Sequence, residues 1–148
     1  MGKRRLAREY CLQALYLADL AGFDSREICV ALELNSPPPP EDSLDFAKKL
    51  LEGTVANTEK IDLILQEHVQ NWKLNRMSVT DRCVLRLATY ELLFSQETPP
   101  AVVMDEAIEL GKKFSTENSG RFINGILDKI RLSKQPATQD PPPDANNP

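Results

Sequence analysis

Apolar residues recur along most of this chain at intervals of three and four positions, the spacing that places side chains on one face of an α-helix. In the first such stretch the apolar positions are Ala7, Tyr10, Cys11, Ala14, Leu15 and Ala18. Gly22 follows as a suitable end for this helix, because glycine readily adopts the conformation that closes one. A shorter pattern that starts at a Ser25 cap predicts a second helix over residues 26–34.

The middle of the chain predicts further helices. The prolines at 37–40 form a stiff, extended spacer that no helix can cross. Two helical stripes follow, over residues 46–55 and 61–69, and they belong either to two helices or to one helix bent near Asn57. Ser78 and Asp81 have the spacing of a capping box, and the helix that they open is apolar on more than half of its circumference. We therefore expect that helix to be central.

Two more helices are predicted towards the C-terminus. Pro99 and Pro100 interrupt the pattern, and Pro100 suits the first turn of a helix that ends near residues 111–114. The last helix runs from about residue 117 to 132. Its Asn124-Gly125 pair is frequent in hairpin turns, but apolar residues keep the helical period on both sides, so we expect the helix to continue.

No segment shows a sustained period of two. The predicted fold class is therefore all-α, a compact bundle of about seven helices. Residues 135–148 contain five prolines and no large apolar side chain, which predicts a disordered, proline-rich tail.

Composition narrows the class of protein. With 148 residues, 41% of them hydrophobic, the chain can bury one sizeable core. Its apolar runs are far shorter than the roughly 20 residues that span a bilayer, and its start lacks the apolar segment of a secretory signal, so we expect a cytoplasmic protein. Cys11, Cys29 and Cys83 occupy helix-like apolar positions, which predicts reduced core thiols and neither disulfides nor a zinc site.

The sequence argues against enzymatic chemistry. His68 is the single histidine and has no cysteine or histidine at ligand spacing, so no metal site is expected. The six glycines are scattered, which argues against a phosphate-cradling loop, and no serine lies in a nucleophile elbow. We expect no catalytic residue and no cofactor.

Positive charge is concentrated at the start of the first helix. The net charge is −4, yet the first eight residues contain no acid and four of the 18 basic residues, namely Lys3, Arg4, Arg5 and Arg8. A helix N-terminus carries the positive end of the macrodipole, so cations are unfavourable there unless an anion such as phosphate binds between them and the free N–H groups. The residues alone leave two interpretations open, a solvated terminus and an anion-binding site.

The first helix has a second face opposite its alanine-rich stripe. This face contains Arg5, Arg8, Leu12 and Tyr16. It combines guanidinium groups with an aliphatic and an aromatic side chain, so it is either a second buried face or a surface for a partner.

One flank of the last helix is a further candidate. Its residues are Asn118, Arg121, Phe122, Gly125 and Lys129. Gly125 costs about 1 kcal/mol relative to alanine inside a helix, which either close helix packing or the approach of a nucleic-acid backbone would explain. In the second case Phe122 offers a stacking surface for an unpaired base, which favours single-stranded RNA over duplex DNA.

Three segments together resemble the NusB family of transcription antitermination factors. They are RRLAREYCLQALY, DRCVLRLATYELLF and AVVMDEAIELGKKFSTENSGRFINGILDKI, in that order, and the resemblance covers about residues 3–131. It implies an all-helical domain over residues 1–134, with packed subdomains of about 1–57 and 58–134, and no enzymatic activity. It also implies binding of single-stranded boxA RNA from ribosomal RNA leader transcripts, together with the ribosomal protein NusE. With other Nus factors, that heterodimer lets RNA polymerase read through terminators.

The resemblance also implies roles for individual residues. At the N-terminus the implied RNA-binding residues are Lys3, Arg4, Arg5 and Arg8. In the last helix they are Asn118, Arg121, Phe122 and Gly125, and Lys129 continues the same flank. The implied NusE contacts are Tyr16 and Asp81, with Arg82 and Arg86 beside them. The family often has glutamate where this chain has Asp81, so the shorter carboxylate reaches less far towards a salt bridge.

Three alternatives stay open. The same fold forms the N-terminal domain of a ribosomal RNA cytosine methyltransferase, although no glycine-rich cofactor loop follows in this chain. The chain could also be a helical protein-interaction module whose basic arm only aids solubility. An apolar helix face could instead close a homodimer.

Overall fold

The computed structural model describes residues 2–22, 24–33, 40–69, 77–95 and 97–133, which form seven α-helices and one π-helical turn. The helices are α1 (Lys3–Ala21), α2 (Ser25–Glu33), α3 (Glu41–Ala56), α4 (Thr58–His68), α5 (Val79–Tyr90), α6 (Pro100–Phe114) and α7 (Glu117–Ser133). The π-helical turn, Glu91–Ser95, continues α5. These ranges contain no β-strand, so the prediction of an all-α fold with about seven helices is confirmed.

Most helix ends follow signals in the sequence, but the predicted Ser25 cap is wrong: α2 begins at Ser25, and Asp24 caps it by accepting a hydrogen bond from the Glu27 N–H at 2.9 Å. Gly22 closes α1 in the left-handed conformation, with a φ of 71°, and its N–H donates to the Ala18 carbonyl. The two stripes of the middle segment form two helices, because Asn57 separates α3 from α4 with a φ of −111°. The predicted proline spacer, except Pro40, lies outside the described residues. The predicted disordered tail, residues 135–148, also lies outside them.

The α5 helix is central, as its apolar circumference predicted. Its start is confirmed, because the Ser78 hydroxyl accepts a hydrogen bond from the Asp81 N–H at 3.1 Å. The helix packs against α1, α3, α4, α6 and α7. Cys83, Val84 and Leu85 are consequently buried completely.

The most extensive helix pair is α6 with α7. A Cβ on Gly111 would lie 2.5 Å from Cδ1 of Ile123, so the missing side chain lets the two helices approach closely. The α7 helix continues without interruption through Asn124 and Gly125, which confirms the prediction of a helix over a hairpin.

The α5 helix contacts helices of both predicted subdomains. α1, α2 and α3 pack against one another, while α4, α6 and α7 all contact α5. The division into subdomains of about 1–57 and 58–134 stays a prediction. Cys11 and Cys83 are thiols buried in the core as predicted, whereas the Cys29 side chain lies outside the described part. None of the described helices is long and apolar enough to cross a bilayer.

Candidate nucleic-acid and partner interface

Two of the four N-terminal cations form ion pairs at the surface. Lys3 Nζ lies 2.6 Å from a carboxylate oxygen of Asp42 on α3, and both side chains are exposed. Arg5 donates from Nε and Nη2 to both carboxylate oxygens of Glu106 on α6, at 3.0 and 2.8 Å. These hydrogen bonds hold the pKa of Glu106 below its ordinary value. A phosphate that binds Lys3 or Arg5 therefore competes with a carboxylate of the protein itself.

The structure places Arg8 inside the protein, with 3% of its surface exposed. Its guanidinium donates two hydrogen bonds to the Glu91 carboxylate, at 2.7 and 2.8 Å, and a third to the Thr98 hydroxyl at 3.3 Å. Arg8 is thus not presented to a ligand, and its position lends no support to the prediction that it contacts RNA.

The sequence left open whether the second face of α1 is buried or available to a partner, and the structure shows that it is partly each. Arg8 and Leu12 are buried, whereas Arg5 and Tyr16 are exposed. One part of this face therefore belongs to the core, and the other is available to a partner.

Arg4 has a different environment from the other N-terminal cations. Its side chain is exposed, and its guanidinium carbon lies 4.7 Å from the centre of the Phe46 ring on α3. The Arg8 guanidinium lies 5.3 Å from the centre of the same ring. Phe46 thus contacts one buried and one exposed arginine by cation–π interactions.

The predicted flank of α7 lies at the surface. Its exposed members are Asn118, Arg121, Gly125 and Lys129, and Phe122 is half-buried against the core. A Cβ on Gly125 would have no atom within 4 Å. Close helix packing within the described residues therefore does not explain this glycine, and the position has room for an external molecule.

The α6 helix lies between the N-terminal cluster and the α7 flank. Its Glu106 binds Arg5 on one side, and its Ile108 contacts Gly120 of α7 on the other. At about 100° per residue, the exposed strip between these two sides of α6 includes two acids, Asp105 and Glu109. The same strip includes the exposed Lys112 and Lys113, and Lys112 pairs with Glu109, so it carries charges of both signs.

A groove of about 410 Å³ opens where α1, the start of α5 and the end of α6 meet. It is lined by Leu12, Gln13, Tyr16, Leu17, Thr80 and Phe114. Tyr16 is 39% exposed, and the neighbouring Leu17 and Leu20 are also exposed. The sequence pointed to Tyr16, but it did not reveal the groove. The signal that could have revealed it is the position of Leu17 and Leu20 outside the core stripe of α1.

The three predicted partner residues of α5 differ in their surroundings. Asp81 directly follows the groove residue Thr80, and its Oδ1 atom is buried without a hydrogen-bond partner in the described part of the chain. Arg82 binds Asp19 at 2.9 Å, and Arg86 binds both Asp19 and Asp62. These two arginines link α5 to α1 and α4, so their contacts stabilise the fold.

The described ranges contain no cluster of three or more His, Cys, Asp or Glu side chains that could bind a metal ion. The Nδ1 atom of His68 lies 2.9 Å from the Ile64 carbonyl, one turn earlier on α4. What the surface offers is positive charge, an exposed glycine and an apolar groove, which together suit macromolecular binding.

The NusB family model matches residues 5–131. The transcription antitermination protein NusB of Elusimicrobium minutum is 48% identical over 136 residues, covering 91% of this chain and 97% of the relative. The protein of the same name from Myxococcus xanthus is 41% identical, covering 90% of this chain and 97% of the relative.

Solved structures also resemble this fold. NusB of T. maritima is 36% identical and superposes with a TM-score of 0.78, covering 93% of this chain and 96% of that one. A chain in the crystal structure of antitermination factors NusB and NusE with double-stranded RNA is 30% identical, with a TM-score of 0.82. The match covers 90% of this chain and 99% of that one.

Proposed function

The chain belongs to the NusB family, and we propose that it binds boxA RNA of ribosomal RNA leader transcripts as a heterodimer with NusE. Family membership makes it a transcription antitermination factor and not an enzyme, as the sequence predicted. Within the proposal, the heterodimer acts in the cytoplasm with other Nus factors, and it helps RNA polymerase to read through terminators.

The observation that carries the RNA proposal is Gly125. An exposed glycine in the middle of a helix costs about 1 kcal/mol relative to alanine, and nothing in the described structure requires it. Phe122 lies one turn earlier on the same helix and is half-buried, and Arg121 and Lys129 supply positive charge nearby. A nucleic-acid backbone over Gly125, with a base on Phe122, accounts for all of these features.

The charge distribution argues for a local contact of modest affinity. Lys3, Arg4 and Arg5 are exposed, but Lys3 pairs with Asp42 and Arg5 pairs with Glu106. An RNA phosphate that binds Lys3 or Arg5 competes with these carboxylates, which lowers the net gain from each contact. We therefore expect weak binding by the chain alone and tighter binding in the presence of NusE.

The groove beside Tyr16 supports the NusE part of the proposal. Exposed apolar side chains around a concave surface are typical of a protein-binding site. Asp81 directly follows the groove residue Thr80, so this predicted partner residue lies beside the same surface. A solved structure that resembles this chain contains NusB together with NusE.

A binding experiment tests the RNA proposal. Affinities for a boxA RNA and for a scrambled RNA of equal length are measured with and without NusE, at several salt concentrations. Three or four phosphate contacts to a single strand predict a slope of about −2 to −3 in log affinity against log salt. Equal affinity for both RNAs in the presence of NusE would reject specific boxA recognition.

A matched pair of variants tests the partner surface. Tyr16→Ala removes an aromatic ring from the groove, whereas Leu63→Ala truncates a side chain of α4 that is 69% exposed and does not line it. We expect only Tyr16→Ala to weaken the NusE complex, by about tenfold or more, with RNA binding by the free chain unchanged. An unchanged NusE affinity would reject the assignment, and a change in self-association would indicate a homodimer at this surface.

A further inference from the structure

The N-terminal cations differ in how much of their hydrogen-bonding capacity remains available. Arg8 donates to a carboxylate and a hydroxyl in the core, and Arg5 donates to both oxygens of Glu106. Lys3 also lies at a carboxylate oxygen. Within the described ranges Arg4 is the member of this cluster whose described contact is an aromatic ring and not a carboxylate. Arg4 is therefore the cation that reaches a phosphate without first breaking an ion pair.

The ring contact leaves the donors of Arg4 accessible. A guanidinium is planar, and its five N–H groups point outward in that plane, so stacking on an aromatic ring uses its face and not its edges. The distance of 4.7 Å from the guanidinium carbon to the centre of the Phe46 ring is within the range of such contacts. The contact restricts a long side chain, and the N–H groups that do not face the ring stay available to an anion.

Phe46 is itself held in place from the inside. Its ring is half-buried against the core and contacts the Arg8 guanidinium at 5.3 Å. Arg8 is fixed in turn by two hydrogen bonds to Glu91, which begins the π-helical turn. A continuous series of contacts therefore runs from Glu91 through Arg8 and Phe46 to Arg4 at the surface.

We propose that Phe46 is a positioning residue for RNA binding, which holds the guanidinium of Arg4 with its donor edge towards the RNA backbone. This inference rests on the proposed RNA-binding function and extends it to α3, a helix that contributes no predicted RNA contact. It also gives the buried Arg8 an indirect role, since Arg8 supports the ring on which Arg4 stacks.

Two substitutions of Phe46 distinguish the contribution of its aromatic ring from the contribution of its apolar volume. Phe46→Leu keeps an apolar side chain and removes the ring, whereas Phe46→Tyr keeps the ring. We expect Phe46→Leu to weaken binding of a boxA RNA by about two- to fivefold at low salt, the effect of an exposed cation–π contact. Phe46→Tyr should bind with an affinity close to that of the wild type, and equal weakening by both variants would overturn the inference.

A double-mutant cycle with Arg4→Gln tests whether Phe46 acts through Arg4. Arg4→Gln alone should weaken RNA binding by about tenfold, as expected for the loss of one charged hydrogen bond. In the Arg4→Gln background, Phe46→Leu should then have no further effect. If the two losses instead multiply, Phe46 acts independently of Arg4 and the inference is wrong.

A measurement without RNA distinguishes this inference from the proposed function. In NMR spectra the ring current of Phe46 should shift the resonance of the Arg4 Hε proton. This shift should be preserved in Phe46→Tyr, and in Phe46→Leu the resonance should move towards its random-coil position. If the wild type shows the ring-current shift but binds neither boxA nor scrambled RNA, the proposed function is rejected, and the role of Phe46 with it. If the wild type binds boxA RNA without that shift, only the role of Phe46 is rejected.

Discussion

The Arg8 guanidinium and the Glu91 carboxylate form a bidentate ion pair inside the protein, with N–O distances of 2.7 and 2.8 Å. The pair joins the second turn of α1 to the π-helical turn that follows α5, and both side chains are almost completely buried. A hydrogen bond from Arg8 to the Thr98 hydroxyl adds a third partner. The pair therefore links segments that are distant in sequence.

We predict that Arg8→Ala destabilises the protein strongly. Removing one member of a buried ion pair leaves the other charge without a partner, which costs about 3–5 kcal/mol. For a chain of this size that cost lowers the melting temperature by about 10 °C or more. Thermal unfolding followed by circular dichroism measures the change.

Arg5→Ala provides the matched control, because Arg5 lies one turn earlier on the same helix and pairs with Glu106 at the surface. Its melting temperature should stay within a few degrees of the wild type, and its RNA affinity should fall. If Arg8→Ala melted like the wild type and lost RNA affinity instead, Arg8 would be an RNA ligand and not a structural residue.

The difference between Arg5 and Arg8 shows what the sequence could predict. The helical period is local information, so the spacing of apolar residues within α1 was enough to predict that helix. The partner of Arg8 lies 83 positions away along the chain, and nothing near Arg8 signals it. Net charge and spacing placed both arginines in one cluster, whereas tertiary packing separates them.

The surroundings of Gly125 and the groove beside Tyr16 also depend on tertiary packing, which the local sequence does not predict. For Gly125 the sequence of α7 left both close packing and ligand approach open and favoured packing, because the outcome depends on which other segments lie nearby. The groove depends on three helices, and Thr80 and Phe114 belong to it only because α5 and α6 end beside α1. Local signals thus predicted the helices and the exposed candidates, but not the surfaces that these residues form together.

We predict that Cys83 does not react with thiol reagents in the folded protein. Its side chain is completely buried, and burial raises the pKa of the thiol to about 12. Almost no reactive thiolate is present at pH 8, and a reagent has no access to it. Alkylation at pH 8 followed by peptide mass spectrometry should leave Cys83 unmodified in native buffer and modified in urea. Rapid modification in native buffer would contradict both the burial and the raised pKa.

We predict that Glu106→Gln strengthens RNA binding. The substitution removes the charged partner of Arg5, so its guanidinium becomes available to a phosphate, and it also removes a negative charge from the α6 surface. The expected gain is about two- to fivefold at low salt and should shrink as salt is added. The control is Glu59→Gln, which neutralises a surface acid at the start of α4. Equal gains in both variants would mean a general charge effect and no competition for Arg5.

The same pair predicts a pH dependence of stability. Hydrogen bonding to Arg5 lowers the pKa of Glu106 from its ordinary value of 4.5. A carboxyl group with a lowered pKa in the folded state contributes its full stability above the ordinary pKa and loses it as the pH falls through the lowered value. Melting temperatures of the wild type and Glu106→Gln should therefore differ by a constant amount from pH 8 to about pH 5 and converge at more acidic pH. A difference that persists at pH 2 would show that the charge of Glu106 is not its cause.

We predict opposite effects of Gly125→Ala on stability and on RNA binding. The added Cβ would meet no atom within 4 Å, and alanine favours a helix interior by about 1 kcal/mol, so the melting temperature should rise by about 3 °C. The same methyl group would displace an RNA backbone that lies directly over the helix, so the affinity for boxA RNA should fall by about tenfold, equivalent to about 1.4 kcal/mol. Thermal unfolding and RNA titration of the same preparation measure both effects.

The contrasting glycine is Gly53 on α3, where an added Cβ would overlap the aromatic ring of Tyr90. Gly53→Ala should therefore lower the melting temperature, because the half-buried ring, which packs against the core, must move to make room. The two substitutions separate a glycine that packing requires from a glycine that packing does not require. If Gly125→Ala raised the melting temperature and left the RNA affinity unchanged, no RNA backbone would lie over this position, and the main support for RNA binding at α7 would be lost.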